Sequence, residues 1–200
     1  MTKPGPDNLL KQLAGTQTGK VRGPAPVHQW DPPYCGEMDM RIAADGRWFH
    51  EGSPIGRLPL MQLFSSILRL DPDGHYYLVT PVEKVRIRVD DCPFVAVLLD
   101  VEGEGEQQIL RFTLNTEEQV TAGPDNAITV TTGEDGQPHP VLHVRHGLNA
   151  LISRSVFYQL AAIAVSEADL PESGASDKNQ EKTNALVVFS QGCRFSLGVI

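Results

Sequence analysis

The strongest constraint on this chain is an order of signals that occurs twice. "DGRWFHEGSPIGRLPLMQLFSSIL", from Asp45 to Leu68, reads as a tight turn, a short strand, a rigid Pro-bearing loop and an amphipathic helix. "DGQPHPVLHVRHGLNALISRSVFYQLAAIA", from Asp135 to Ala164, runs through the same order again. A helix stripe and a half-apolar hairpin each need a surface to cover them. Two such units bury their faces against shared or paired sheet. The expected fold class is therefore α+β, with two repeated hairpin-plus-helix motifs packed on mostly antiparallel sheet.

Local patterns fill in the elements. "EMDMRIAAD" alternates, with Met38, Met40 and Ile42 on one face and Asp39 and Arg41 on the other. Asp45-Gly46 predicts a type I′ hairpin turn, with "RWFHEG" as the return strand. Pro59 suits the first turn of a helix striped by Leu60, Leu63, Phe64, Ile67 and Leu68, and "DPDG" at 71–74 ends it. "HYYLVT", "EKVRIRVD", "EQQILRFTLN" and "AITVTT" read as strands. Phe94 to Leu99 is nearly all apolar, which predicts burial on both faces. "RSVFYQLAAIAVSEA" is the second helix and "ALVVFSQGCRFSL" a closing strand or hairpin. The organisation expected is a flexible, disordered N-terminal segment over 1–34, a first α+β motif over 35–92, and a second over 93–200 that ends on the closing strand. "DNLLKQLAG" within the first segment is a short helix that needs docking, and 170–184 is a polar, mobile linker.

Composition narrows the function classes. The chain has 200 residues, 40% hydrophobic and 21% charged, enough to bury a core in one domain or two small ones. A net charge of −8 argues against nucleic acid as a partner, and more weakly against anionic membrane surfaces. Cys35, Cys92 and Cys193 are odd in number and widely spaced, without a CxxC pair, which excludes a zinc ribbon or thioredoxin-type motif. Reduced thiols, with no apolar run long enough for a signal peptide or a membrane span, point to the cytoplasm.

Two constellations carry chemistry. His139, His143 and His146 offer three imidazoles, of which 139 and 143 share a strand face. Glu37 and Asp39 also share a strand face. Either group would centre a metal-assisted hydrolase, the alternative reading. Against it, the chain has no nucleophile elbow, no SxxK and no phosphate loop, and Cys92 follows two aspartates that raise its pKa. No catalytic residue, metal or cofactor is assigned. The second constellation is basic. Arg57 stands at the start of the first helix, where free N–H groups and the helix dipole favour anions. Lys84, Arg86 and Arg88 line one face of a strand whose other face is Val85, Ile87 and Val89. The functional reading is a site for an anionic small molecule or an acidic protein surface. The plain alternative is a solvated face, with Arg57 bridged to Glu83 or Asp90.

Four signatures stand in this part of the chain: Asp45-Gly46-x-Trp48, Ser53-Pro54-Ile55-x-Arg57, Thr80-Pro81-Val82-Glu83-Lys84 and Asp91-x-Pro93-Phe94. With "HVRHGLNALISRSVFYQLA" and the closing "SQGCRFSLG", they resemble a bacterial family catalogued as domain of unknown function 1285, over roughly residues 34 to 165 and the C-terminal end. The resemblance implies two linked α+β motifs of one kind and a role in signal transduction or transport; it brings no catalytic residue. The candidate ligand-binding residues are then Arg57, Lys84, Arg86, Arg88, Trp48 and Glu83. The expected function is a non-enzymatic regulatory or binding module. A homodimer that pairs exposed sheet edges is a third reading.

Overall fold

The computed structural model describes residues 23–133, 136–166 and 185–199. The helix read in "DNLLKQLAG", the N-terminal segment up to residue 22, Asp135 and the linker at 170–184 lie outside the described residues. The described residues are mostly β with two α-helices, and the chain divides into two compact units at Pro93 and Phe94, with 146–148 counted in the first. No described helix is long and apolar enough to cross a membrane.

The first unit holds β1 (Tyr34–Ile42), β2 (Trp48–His50), β3 (Ser53–Pro54), α1 (Leu58–Ser66), β4 (Leu68–Leu70), β5 (Tyr76–Val79) and β6 (Lys84–Val89). Its sheet has the order β3-β2-β1-β6-β5-β4. Two three-stranded meanders meet at a central seam, where β1 and β6 run parallel. Order begins upstream of Glu37. Ala25 and Val27 are buried, and the Ala25 N–H donates to the Ser66 carbonyl at 2.9 Å. Trp48, fully buried, stacks on Phe64 of α1 with ring centroids 6.1 Å apart.

The first helix is shorter than its apolar stripe predicts. It starts as read, with Pro59 in its first turn, but it ends at Ser66, and Leu68–Leu70 is strand. The hydroxyls of Ser65 and Ser66 donate to the carbonyls of Gln62 and Leu63 at 2.9 and 2.7 Å, and so compete with the helix ladder. "DPDG" consequently turns the β4–β5 hairpin, with Gly74 donating to Asp71 at 3.0 Å. The Asp45-Gly46 turn also differs in type. Gly46 donates to the Ala43 carbonyl, and of the two turn residues only Gly46 has a positive φ, +80°. That is a type I turn closed by a glycine bulge rather than a type I′ turn.

The second unit holds β7 (Phe94–Glu102), β8 (Ile109–Leu114), β9 (Gln119–Thr121), β10 (Ile128–Thr132), β11 (Pro138–Arg145), β12 (Leu148–Ile152), α2 (Arg154–Ile163), β13 (Val165–Ser166), β14 (Ala185–Ser190) and β15 (Cys193–Val199). Six of these strands form a sheet of order β10-β11-β12-β7-β8-β9, and β13-β14-β15 form another. Read from its other edge, the six-stranded sheet has the strand order of the first unit's sheet, again with one parallel pair, β7 and β12, at its centre. The helices hold different places. α1 follows the third strand of its sheet, whereas α2 follows the sixth. Segments 38–68 and 128–164 therefore share a local order of elements while their strands occupy non-equivalent positions in the two sheets. Burial along β7 stops at Ala96; Val97 and Leu98 are exposed, and the register with β8 shifts between Ala96 and Leu98. The closing hairpin, β14–β15, turns on Gln191 and Gly192, both with positive φ.

Candidate functional site

The outer face of the first unit's seam carries the charges. β1 alternates as its pattern predicts, with Met38, Met40 and Ile42 buried and Glu37, Asp39 and Arg41 exposed. β6 alternates too, with Val85 and Ile87 buried and Lys84, Arg86 and Arg88 on the other side. The two strands keep register only in part. Glu37 stands opposite Arg86 and Arg41 opposite Arg88, so β1 advances four residues (41 − 37) where β6 advances two (88 − 86). Gly36, at φ +104°, accommodates the earlier shift between Tyr34 and Glu37. A cleft of about 640 Å³ lies along this stretch, lined by residues 37–40 of β1, 86–89 of β6 and 74–76 at the start of β5. The parallel seam of the second unit has no such break: Phe94, Val95 and Ala96 face Ala150, Leu151 and Ile152 in step.

Ion pairs flank the cleft. Arg86 sits 3.2 Å from Glu37. The Arg41 guanidinium donates to both oxygens of Asp90, with its Nε at 3.0 and 2.9 Å. That bond and the attraction of Arg41, joined by that of Arg88, hold the Asp90 carboxyl below its ordinary pKa against the cost of burial. Arg88, Asp39 and the His75 ring make no side-chain hydrogen bond or ion pair among the described residues. The lining residues include no serine, threonine or cysteine.

Of the candidate residues, Arg86 and Arg88 line this cleft, and Arg57, Lys84, Trp48 and Glu83 do not. Arg57 is exposed at the N-cap of α1 and makes no side-chain cap bond there. Lys84 is committed elsewhere: its Nζ is 2.7 Å from Asp71 and 4.6 Å from the centre of the Tyr77 ring. Trp48 is core. Glu83 is buried at the end of a turn organised by the Thr80 hydroxyl, which accepts from the Val82 and Glu83 N–H groups at 3.4 and 3.2 Å. The Thr-Pro-Val-Glu-Lys signature thus has a structural cause. Asp90, offered to Arg57 by the plain reading, is bonded to Arg41 instead.

The groups read as catalytic do not assemble. Glu37 is bound by Arg86 rather than sharing a proton with Asp39. His139 and His143 share a face of β11, and a ring nitrogen of His143 lies 2.7 Å from the Asp125 carbonyl. His146, in a left-handed turn, packs against His28 with ring centroids 3.7 Å apart and the rings tilted by 42°. Among the described residues the three histidines do not bring their nitrogens within reach of one metal ion. Cys92 is buried, and burial, with Asp91 beside it, pushes its thiol up to about 12. His75 escaped the sequence reading. The signal that would have found it is its position directly after the Asp71–Gly74 turn, which puts it at the end of a strand beside the seam.

Comparison with known proteins shows what the chain is similar to. Residues 25–92 match the family model described as "Domain of unknown function (DUF1285), N-terminal domain", and residues 93–197 match its C-terminal counterpart. A crystal structure of a DUF1285 family protein from Silicibacter pomeroyi DSS-3 is 44% identical with a TM-score of 0.77, over 94% of this chain and 95% of that one. Another, from Shewanella baltica OS155, is 27% identical with a TM-score of 0.50, over 62% of this chain and 91% of that one. No curated protein matches.

Proposed function

Within the DUF1285 family, to which this chain belongs, we propose that the protein is a non-enzymatic binding module that takes a small anionic ligand in the cleft of its first unit. The observation that carries this reading is Arg88, a guanidinium with no ion pair or side-chain hydrogen bond among the described residues, on the wall of an opening of small-molecule size. His75 and Arg86 line the same opening and add donors. The shared strand order supports reading the two units as variants of one six-stranded plan, in which the first opens its parallel seam and the second keeps it closed. A cytoplasmic, regulatory setting belongs to this reading, and the acidic composition and reduced thiols support it.

The test is titration of the full chain with inorganic phosphate and with small carboxylates at low ionic strength, followed by amide chemical shifts. Shifts centred on residues 37–40, 74–76 and 86–89 that vanish in Arg88→Glu are expected. Anion binding that survives Arg88→Glu contradicts the proposal.

A further inference from the structure

We propose that the ligand of this cleft is a small zwitterion, with its anionic group on Arg88 and its ammonium group on Asp39. The inference rests on the cleft being the ligand site proposed above. Three acid–base pairs would follow one another along the outer face of the seam if β1 and β6 kept step. β1 presents Glu37, Asp39 and Arg41 at alternate positions, and β6 with the residue after it presents Arg86, Arg88 and Asp90. The first pair is made, Glu37 with Arg86 at 3.2 Å. The third is made, Arg41 with Asp90. The middle pair, Asp39 with Arg88, is not made: neither side chain has a hydrogen bond or ion pair among the described residues.

The register explains the gap. The longer path of β1 between Glu37 and Arg41 puts Arg41, and not Asp39, opposite Arg88. Asp90 bonds Arg41 and attracts Arg88 only at longer range, which leaves Arg88 and Asp39 as charges of the wall with no ion pair among the described residues. A simple anion on Arg88 would lie in a cleft that also holds the carboxylate of Asp39, and a simple cation on Asp39 would meet Arg88. A molecule with both charges satisfies both at once and completes the row of pairs.

The test uses the full-length protein and ω-amino acids from glycine to 6-aminohexanoate, with 2-aminoethyl phosphate to compare a phosphate head with a carboxylate one. Alkyl carboxylates, inorganic phosphate and alkylamines serve as single-charge controls, and binding is measured by calorimetry at low salt. At least one zwitterion should bind roughly tenfold or more tighter than its matched anion, a gain of about 1.4 kcal/mol per tenfold. Asp39→Asn should remove that gain while the anion's affinity holds or rises, because a repelling carboxylate is gone, and Arg88→Gln should remove binding of both. Both side chains are exposed and make no ion pair or hydrogen bond among the described residues, so both variants should keep a thermal midpoint close to the wild type's. Equal affinities for zwitterion and anion overturn the inference, as does a gain that survives Asp39→Asn. Anion binding lost in Arg88→Gln but without any gain from the amine overturns the zwitterion alone; a wild-type protein that binds none of these compounds overturns the anion site as well.

Discussion

At the scale of single residues, several side chains that look functional in the sequence are structural. Arg69, which no pattern in the sequence singles out, has the same kind of role. Its guanidinium donates to Asp71 and also to the carbonyls of Val27 and Trp30 at 2.9 and 2.8 Å, which ties the N-terminal described segment to β4. Arg69→Ala leaves these acceptors without their charged donor and should lower unfolding free energy by about 2–3 kcal/mol in urea titrations. Trp48 belongs to a signature because the core needs a large ring against Phe64, and so it says nothing of ligand. Cys92 and Cys35 make a contrast that a thiol reagent can read. At pH 8 the exposed Cys35 should react promptly, whereas Cys92, buried and held in its neutral form, should react only after denaturant is added. Equal rates for both in the native protein would contradict this.

At the scale of elements, one hairpin connection recurs. In 43–47, 71–75 and 114–118 the fourth residue donates to the first carbonyl, and the first N–H donates to the fifth carbonyl. The fourth residue takes a positive φ each time: Gly46 at +80°, Gly74 at +79° and Glu117 at +64°. The Asp-Gly and Pro-Asp-Gly signals marked two of these turns in the sequence, but Glu117 carries no such signal, because the conformation is imposed on it by the strands it joins. Glu117→Gly should therefore stabilise the protein by about 0.5–1 kcal/mol. Gly74→Ala should destabilise it by about 1 kcal/mol from backbone conformation alone, since nothing lies within 4 Å of the added Cβ. Denaturant midpoints of the two variants should move in opposite directions. The same limit shows in α1: its apolar stripe was legible to Leu68, while its end was set by two serine hydroxyls that turn back on the helix.

At the scale of the whole molecule, acid sensitivity follows from four carboxylates of the first unit. Asp45 is held low chiefly by the Arg47 N–H, Asp73 by the Tyr77 hydroxyl and Asp90 by Arg41; at Asp71 burial opposes the shift, and Arg69 and Lys84 together outweigh it. All four bind protons more readily unfolded than folded. Their contribution is present above the ordinary carboxylate pKa, about 4, and is lost as pH falls through the lower folded values. The urea midpoint should drop between pH 6 and pH 3; a constant midpoint over that range would contradict the assignment. Read from the amino-acid sequence alone, strand alternation places Lys84, Arg86 and Arg88 on one face and Glu37 and Asp39 on another, and the turn signals place most of the hairpins. These are local properties, encoded in a period of two and in the backbone demands of a few residues. The pairing of β1 with β6, the slip between them and the opening that isolates Asp39 and Arg88 came only with the tertiary structure. A strand's pattern fixes which face is buried, but the partner and offset of a parallel pair depend on how the intervening chain packs.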